Sequence, residues 1–342
     1  MTPWWPAGRI RGLMSNPREI LAWRKRRFEE TLRRRELLRQ GDRLLTPNPL
    51  PESGPSQIHM LIGHRTVAEC LWALHSFLTY AEPSFPVCVH DDGSLIPRDC
   101  QLLERFYPGI RVLRRQESDA EVVPLLKKAG LNRLSALRAE LPFTLKLLDL
   151  QHFAQGRRVL YLDTDILFFQ RPTLLLDLMR AGTQDSTAWY NLDRATWYTW
   201  TSDDLYAHTG IRPGPQINAG LFTARIDDLS WWARYEDWLG IARPQAGQWT
   251  QWHREQTLWA LHLTAIGAKP LPAADYDVHH RSGWAGMDAA AALRKRNHGA
   301  PVVSQHYSGT WDYRQMFYDA LRTRFFAQAA ARARHSPAER GI

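Results

Sequence analysis

The feature that most constrains the fold is an alternation of short apolar runs and helical patterns that begins at residue 57. Such an alternation implies a doubly wound α/β sheet, mostly parallel, with ligands at the carboxyl ends of its strands. The predicted strands are Ile58 to Ile62, Pro86 to His90, Ile110 to Leu113 and Val159 to Leu162. The predicted helices between them are Val67 to Thr79, Pro97 to Phe106 and Leu141 to Phe153.

Acidic residues follow two of these strands. Asp163 and Asp165 end the fourth strand and are followed directly by apolar residues, and Asp91 and Asp92 end the second. Carboxylates in apolar surroundings are costly unless a positive group meets them. A divalent ion that carries a diphosphate suits such oxygens. The alternative for the Asp163 pair is a strand end that caps a helix or meets an arginine.

The positive charge of the chain is concentrated near its start. The formal net charge is +9, and between Arg18 and Arg39 nine Lys or Arg face four Glu, so this stretch alone contributes +5. The remainder is only mildly basic, which argues against a nucleic-acid groove in the main domain. We assign most of the 15 Trp to packing.

The cysteines and the first residues of the chain predict where in the cell the protein is located. Cys70, Cys88 and Cys100 are too few and too irregularly spaced for a disulfide framework or a zinc cage, and they predict buried thiols in a reducing environment. No apolar leader follows Met1, and no apolar run is long enough to span a bilayer. We expect a soluble, cytoplasmic protein, with peripheral membrane contact as a further option.

Residues 1–56 are predicted to form a basic helical extension and linker, and residues 57–342 the main domain. Pro17 begins a helix to about Gln40, with Gly41 as its stop. The segment from Thr46 to Ser56 is rich in Pro, Ser and Gly, as in linkers. Three interpretations of residues 17–40 stay open: docking on a partner, lying on an anionic membrane, or packing on the chain's own domain.

The second half is less regular and adds three motifs to the acidic one. Helices are predicted at Asp227 to Ile241, Trp252 to Ile266 and Arg314 to about Arg334, and a late strand at Val302 to Gly309. The four motifs, in order, are Leu160-Tyr161-Leu162-Asp163-Thr164-Asp165, Ile217-Asn218-Ala219-Gly220-Leu221-Phe222, Arg254-Glu255-Gln256-Thr257-Leu258 and Gln305-His306-Tyr307-Ser308-Gly309.

This series resembles the GT-A nucleotide-sugar glycosyltransferases, most closely glycosyltransferase family 8, over about residues 57 to 320. The resemblance implies a Rossmann-like mixed sheet flanked by helices, and a nucleoside diphosphate sugar as donor. It further implies that Asp163, Asp165 and His306 bind Mn²⁺ or Mg²⁺, which grips the diphosphate. A lone late histidine is otherwise structural in most proteins, and the motif order favours the metal role.

The same resemblance assigns the donor pocket. Asn218, Ala219 and Gly220 would line the sugar, and Gly309 would belong to the late loop. Glu255 would bind sugar hydroxyls while Gln256 faces the anomeric carbon. For Glu255 the alternative is an exposed helix residue that pairs with Arg254.

For the parts of the donor site that would hold the nucleobase and the phosphates, the sequence leaves alternatives open. Asp91 and Asp92 resemble the turn after the second strand of family 2 glycosyltransferases, whose acid contacts the base, and an ordinary Asp-Gly turn is the alternative. Gly63 and His64 replace the residues that usually hold uracil, so the base stays open. Lys146 either reaches a phosphate or is solvated. The late loop lacks the family's lysine and proline, and Arg314 is a substitute for that charge.

We therefore predict a metal-dependent, retaining glycosyltransferase whose acceptor is an unidentified glycan, lipid or protein. An inverting enzyme would need a carboxylate base, for which Asp193, Asp203 and Asp204 are candidates. The alternatives are an Asp-x-Asp phosphatase, a sugar nucleotidyltransferase, and an inactive GT-A adaptor that binds through the basic helix. The phosphatase motif usually lies on the first strand, and Gly63 to Thr66 match a nucleotidyltransferase loop poorly.

Overall fold

The structure is a computed structural model that describes residues 17–82, 84–227, 229–241, 251–278, 302–307 and 311–327. The chain divides into two compact units. The larger is Pro47–Ser308, and the smaller combines Met1–Thr46 with Gly309–Ile342. The boundary that we predicted at residue 56 stays a prediction.

The larger unit is built on a seven-stranded mixed sheet with the order β3-β2-β1-β4-β7-β6-β8. The four strands from β3 to β4 are parallel, whereas β7 is antiparallel to both β4 and β6. The strands of the larger unit are β1 Ser56–Ile62, β2 Val87–Asp91, β3 Arg111–Leu113, β4 Arg157–Leu162, β5 Ile166–Phe168, β6 Trp189–Leu192, β7 Ile217–Ile226, β8 Lys269–Pro270, β9 Tyr276–Val278 and β10 Ser304–His306. The predicted fold class, an α/β mixed sheet flanked by helices, is confirmed.

Helices cover this sheet, and their apolar residues form the core. In β1 the side chains of Ile58, Met60 and Ile62 are buried, as expected for a central parallel strand. The helices of both units are α1 Pro17–Leu44, α2 Val67–Leu78, α3 Pro97–Phe106, α4 Arg115–Lys128, α5 Asn132–Glu140, α6 Leu145–Phe153, α7 Thr173–Ala181, α8 Ser202–Thr209, α9 Trp231–Trp238, α10 Gln251–Ala265 and α11 Trp311–Ala320. None of the described helices is long and apolar enough to cross a membrane.

A second sheet, with the order β5-β10-β9, brings a late segment of the chain to the end of β4. Strand β10 pairs antiparallel with β5, and His306 lies opposite Ile166. Because β5 begins three residues after Asp163, this pairing places the late strand beside the acidic turn that we predicted as a site.

The smaller unit contains α1, α11 and a π-helix at Leu321–Phe326. Glu30 and Leu37 of α1 are buried. The Glu30 carboxylate accepts a hydrogen bond from the Arg34 guanidinium and another from Arg314. The Arg33 guanidinium lies over the ring of Tyr318. Arg314, which we considered as a phosphate-binding charge, is therefore engaged with a glutamate.

Several predicted boundaries are wrong. Helix α1 continues through Gly41 to Leu44, and Gly41 is not among the positive-φ residues that favour a helix stop. The segment from Leu141 to Phe153 is a 3₁₀ turn followed by α6, because Pro142 begins the turn. The helix predicted from Asp227 is limited to α9, and the late strand to β10.

The sequence patterns also missed elements that the structure contains: helices α4, α5, α7 and α8, and strands β5, β6, β8 and β9. In α4, Pro124 lies inside the helix, although a proline in a helix interior normally indicates that the helix ends there. The predicted linker is not free of the main unit, because Asn48 and Leu50 donate backbone hydrogen bonds to the carbonyls of Phe106 and Pro108.

Candidate metal centre and donor pocket

Three predicted metal ligands come together at the carboxyl end of β4. One ligand atom each from Asp163, Asp165 and His306 lies within 4.8 Å of the other two. The Nε2 of His306 is 3.1 Å from Asp165 Oδ1 and 3.9 Å from Asp163 Oδ2. The carboxylates are partly open to solvent, with 31% and 27% of their side chains exposed, whereas the imidazole is buried. A ligand can therefore approach from the carboxylate side.

Backbone hydrogen bonds hold this arrangement. The Asp163 N–H donates to the Gly220 carbonyl at 2.8 Å, which ties the acidic turn to β7. The Tyr307 N–H donates to the Asp165 carbonyl at 2.9 Å, which ties it to the end of β10. Three distant segments of the chain are thus fixed around one position.

Gly220 leaves the space that this cluster needs. A Cβ at this position would lie 2.6 Å from Asp163 Oδ2 and 2.9 Å from Asn218 Oδ1, and it would also overlap the ring of His306. No side chain fits there without moving a candidate ligand. The missing side chain at Gly220 therefore lets Asp163 and His306 approach this strand closely.

The charges of the cluster attract a cation. Burial raises the pKa of Asp163, the nearby Lys146 opposes this rise, and Asp165 adds to it, so that the net direction is upward. Burial alone would lower the pKa of His306, but Asp165 and Asp163 raise it, and the net direction is upward. Two carboxylates and one imidazole form a donor set of the kind that binds Mn²⁺ and related divalent ions. The residues present therefore fit the implied metal.

Lys146 connects the metal cluster to Glu255. Its ammonium lies 3.7 Å from Asp163 Oδ1 and 3.4 Å from Glu255 Oε1, and 4.4 Å from the centre of the Tyr161 ring. Lys146 is buried, so the solvated alternative is wrong. Glu255 is buried as well and pairs with Lys146, so it is not the exposed helix residue of the alternative interpretation. Burial raises the pKa of Glu255 to about 7, Lys146 opposes that rise, and Asp163 adds to it.

Tyr161 is a member of the site that we did not single out from the sequence. Its hydroxyl donates to Asp163 Oδ1 at 3.0 Å. The signal was present, because residues two apart on a strand share a face, and Tyr161 precedes Asp163 by two.

The Asn218 to Gly220 segment and Gln256 are the other residues that we predicted for the sugar pocket. Asn218 donates through Nδ2 to Asp193 Oδ2 at 2.8 Å and accepts the Gly220 N–H at 2.8 Å. Ala219 belongs to the apolar core, so only its backbone is a candidate for donor contact. Gln256 is buried, and within the described part of the chain its Nε2 has no hydrogen-bond partner. An amide in this condition is suited to a ligand.

At the end of β2, Asp91 has a structural role. Its Oδ1 accepts hydrogen bonds from the N–H groups of Gly93 and Leu95, and its Oδ2 accepts one from Arg114 Nε at 2.9 Å. The side chain thus stabilises the turn and β3, in agreement with the alternative interpretation as an Asp-Gly turn. Contact with a nucleobase stays a prediction for Asp91.

Asp92 lies next to Gly63, at the neighbouring ends of β2 and β1. Its Oδ1 accepts from the Ser94 N–H at 2.8 Å, and a Cβ on Gly63 would overlap its carboxylate. The ring of His64 is held by Asp99 at 2.8 Å, and the His64 N–H donates to Ser94. The structure therefore brings Gly63, His64 and Asp92 together, while their role toward a donor stays a prediction.

The remaining candidates are placed elsewhere. Asp203 pairs with Arg212, and Asp204 accepts a hydrogen bond from the Thr201 hydroxyl, both on the exposed surface of α8. Gly309 lies outside the described residues.

A second group of metal-binding residue types is buried between β1 and β2. It contains His59, Cys88 and His90. His59 Nδ1 is 2.8 Å from His90 Nε2, and His59 Nε2 is 3.1 Å from Gln57 Oε1. Burial lowers the pKa of both imidazoles, to about 3 for His90. Both rings are therefore neutral near pH 7. The hydrogen bonds connect Gln57, His59 and His90 in series, and within the described part of the chain His90 Nδ1 has no hydrogen-bond partner.

No protein-family profile matches the sequence, and no curated protein matches it. Solved structures do match. A galactosyltransferase, LgtC, in complex with donor and acceptor sugar analogues is 16% identical, with 81% of this chain and 95% of that chain covered and a TM-score of 0.46. Mouse xyloside xylosyltransferase 1 is 11% identical, with 73% and 97% covered and a TM-score of 0.48.

A third match is core-mannan synthase A from Aspergillus fumigatus in its Mn/GDP form. It is 8% identical, with 64% of this chain and 73% of that chain covered and a TM-score of 0.36. All three are glycosyltransferases, the class whose motifs the sequence resembles.

Proposed function

We propose that the protein is a GT-A glycosyltransferase that uses a divalent metal ion and transfers a sugar from a nucleoside diphosphate donor. The observation that carries the proposal is the cluster of Asp163, Asp165 and His306, with Gly220 leaving room beside it. The buried Lys146–Glu255 pair adjoins this cluster, so a charged diphosphate and a polar sugar would each meet matching groups.

In the proposed reaction, the bond between the anomeric carbon and the diphosphate oxygen breaks, and the electron pair leaves with the diphosphate. The acceptor hydroxyl oxygen bonds to that carbon, and its proton passes to the departing diphosphate. Mn²⁺ or Mg²⁺, when bound, would neutralise the charge that develops on the diphosphate. Asp163, Asp165 and His306 would hold the ion, and the Lys146 ammonium would add a fixed positive charge beside it.

Glu255 and Gln256 would position the sugar. A buried carboxylate at Glu255 would accept hydrogen bonds from sugar hydroxyls, and the unpartnered amide of Gln256 would face the anomeric carbon. We include retention of configuration in the proposal because this pair resembles that of a retaining family. Among the three candidate bases, Asp193 is hydrogen-bonded to Asn218, Asp203 pairs with Arg212, and Asp204 accepts a hydrogen bond from the Thr201 hydroxyl.

The donor in this proposal is a nucleoside diphosphate sugar, and the acceptor is a glycan, a lipid or a protein. We also propose a reducing, cytoplasmic compartment, which the three free cysteines support.

The test is a screen of nucleoside diphosphate sugars with the purified protein and Mn²⁺, with release of nucleoside diphosphate as the readout. We expect turnover with at least one donor, lost on chelation of the metal. Lys146→Met should abolish that turnover, and Lys127→Met on the exposed surface of α4 is the control. Hydrolysis of phosphomonoesters instead would identify a phosphatase. No turnover of either substrate class would leave the adaptor interpretation.

A further inference from the structure

Exposed apolar side chains are concentrated on α1. In the part of the chain that the structure describes, eight large apolar side chains are exposed, and five of them belong to this one helix. The exposure is greatest for Leu21, at 69%, and Phe28, at 64%. The five are Ile20, Leu21, Trp23, Phe28 and Leu32. Single exposed apolar residues are ordinary, but such a concentration marks an interaction site.

Three of these residues define one face of the helix. Leu21, Phe28 and Leu32 are separated by seven and four residues, which places them in line along an α-helix. The opposite face carries Glu30 and Leu37, which are buried. The helix is therefore packed on one side and presents an apolar line on the other.

The same helix carries uncompensated positive charge. Three of its four glutamates, Glu29, Glu30 and Glu36, are each paired with cations of the helix itself. Arg24, Arg26 and Arg35 are exposed, and no ion pair is found for them within the described ranges. By helical spacing, Arg24 and Arg35 lie along one side of the apolar line.

We propose that this face of α1 is a contact surface for an anionic lipid bilayer. Leu21, Phe28 and Leu32 would enter the interface, and the arginines beside them would meet lipid phosphates. Charge complementarity selects this occupant over a second copy of the chain, since two copies would bring two segments of net charge +5 together. The inference is independent of the proposed enzymatic activity.

The test uses the full chain and two vesicle preparations, phosphatidylcholine alone and phosphatidylcholine with about 30% phosphatidylglycerol, in a co-sedimentation assay. We expect binding to the anionic vesicles only, weakened by added salt. The double variant Arg24→Gln and Arg35→Gln should bind about thirtyfold more weakly, from about 1 kcal/mol per cation. Leu21→Ser with Phe28→Ser should also lose binding.

Matched controls are Arg98→Gln and Leu125→Ser, which remove an exposed cation and an exposed apolar residue outside α1. Both should bind as the unmodified protein does, and circular dichroism should show that every variant is folded. Equal binding to neutral and anionic vesicles would overturn the proposal, as would unchanged binding of the α1 variants. A dimer in light scattering that Phe28→Ser dissociates would identify a second copy as the occupant. Donor turnover in solution is measured separately, so failure of the enzymatic proposal would leave this test intact.

Discussion

Acidification should destabilise the protein through the buried His59–His90 pair. Burial and the nearby arginines Arg111 and Arg138 lower the pKa of His90 to about 3, while an unfolded histidine titrates near its ordinary value of about 6.5. Between these two values the unfolded chain binds more protons than the folded one. Stability is therefore fully present above the unfolded pKa and is lost as the pH falls below it.

The magnitude follows from the width of that window. Each pH unit inside it costs about 1.4 kcal/mol per histidine, so His90 alone should remove about 2 kcal/mol between pH 7 and pH 5. This is a large fraction of an ordinary folding free energy of about 5–15 kcal/mol. Glu255, whose pKa burial raises to about 7, acts in the opposite direction over the same range.

A variant isolates the contribution of His90. His90→Gln retains an N–H donor toward His59 but does not titrate, and the contribution of Glu255 cancels when the two proteins are compared. The assay is urea unfolding followed by circular dichroism at pH 7, 6 and 5. The stability difference between the proteins should shift by about 2 kcal/mol in favour of the variant at pH 5. His208→Gln, on the exposed surface of α8, is the control. A difference that is independent of pH would refute the reasoning.

Three further predictions concern the site. Gly220→Ala should lower the affinity for Mn²⁺, because the added methyl group overlaps the candidate ligands, while circular dichroism should show that the fold is retained. The control is Gly156→Ala: no atom lies within 4 Å of the added methyl group there, and φ is positive, so this variant measures backbone strain alone. Tyr161→Phe should weaken Mn²⁺ binding by less than about tenfold, because it removes one hydrogen bond to a candidate ligand. An unchanged Mn²⁺ affinity in calorimetry would show that Tyr161 does not belong to the site. Glu255→Gln should lower kcat for the donor by on the order of 10² with little change in metal affinity, and a purely structural Glu255 would leave kcat intact.

The sequence patterns predicted the parts of the site that depend on local order. Asp163 follows an apolar strand, and Gly220 lies in a strand of small residues, so both carry their signal in their immediate neighbours. Lys146 and Glu255 meet only because α6 and α10 are brought together by the fold. No local pattern predicts such a contact, since it depends on packing between segments about a hundred residues apart.

Other contacts between distant segments have the same origin. Asp91 is satisfied by Arg114, which is 23 residues away and reaches it from beyond β3. The His59–His90 contact arises from the register of two parallel strands. His306 reaches the acidic turn because β10 pairs with β5. These partners are determined by sheet topology, which the alternation of strands and helices indicates only in outline.

The central claim is that Asp163, Asp165 and His306 bind the metal ion on which the proposed transfer depends. Isothermal titration of Mn²⁺ into the unmodified protein and into Asp165→Asn, with and without UDP or GDP, tests it most directly. Asparagine keeps the shape of the side chain but removes its charge, so affinity should fall by on the order of 10² or more. Asp203→Asn makes the same change at an exposed aspartate of α8 and should bind Mn²⁺ as the unmodified protein does. Equal affinity of the unmodified protein and Asp165→Asn would contradict the claim.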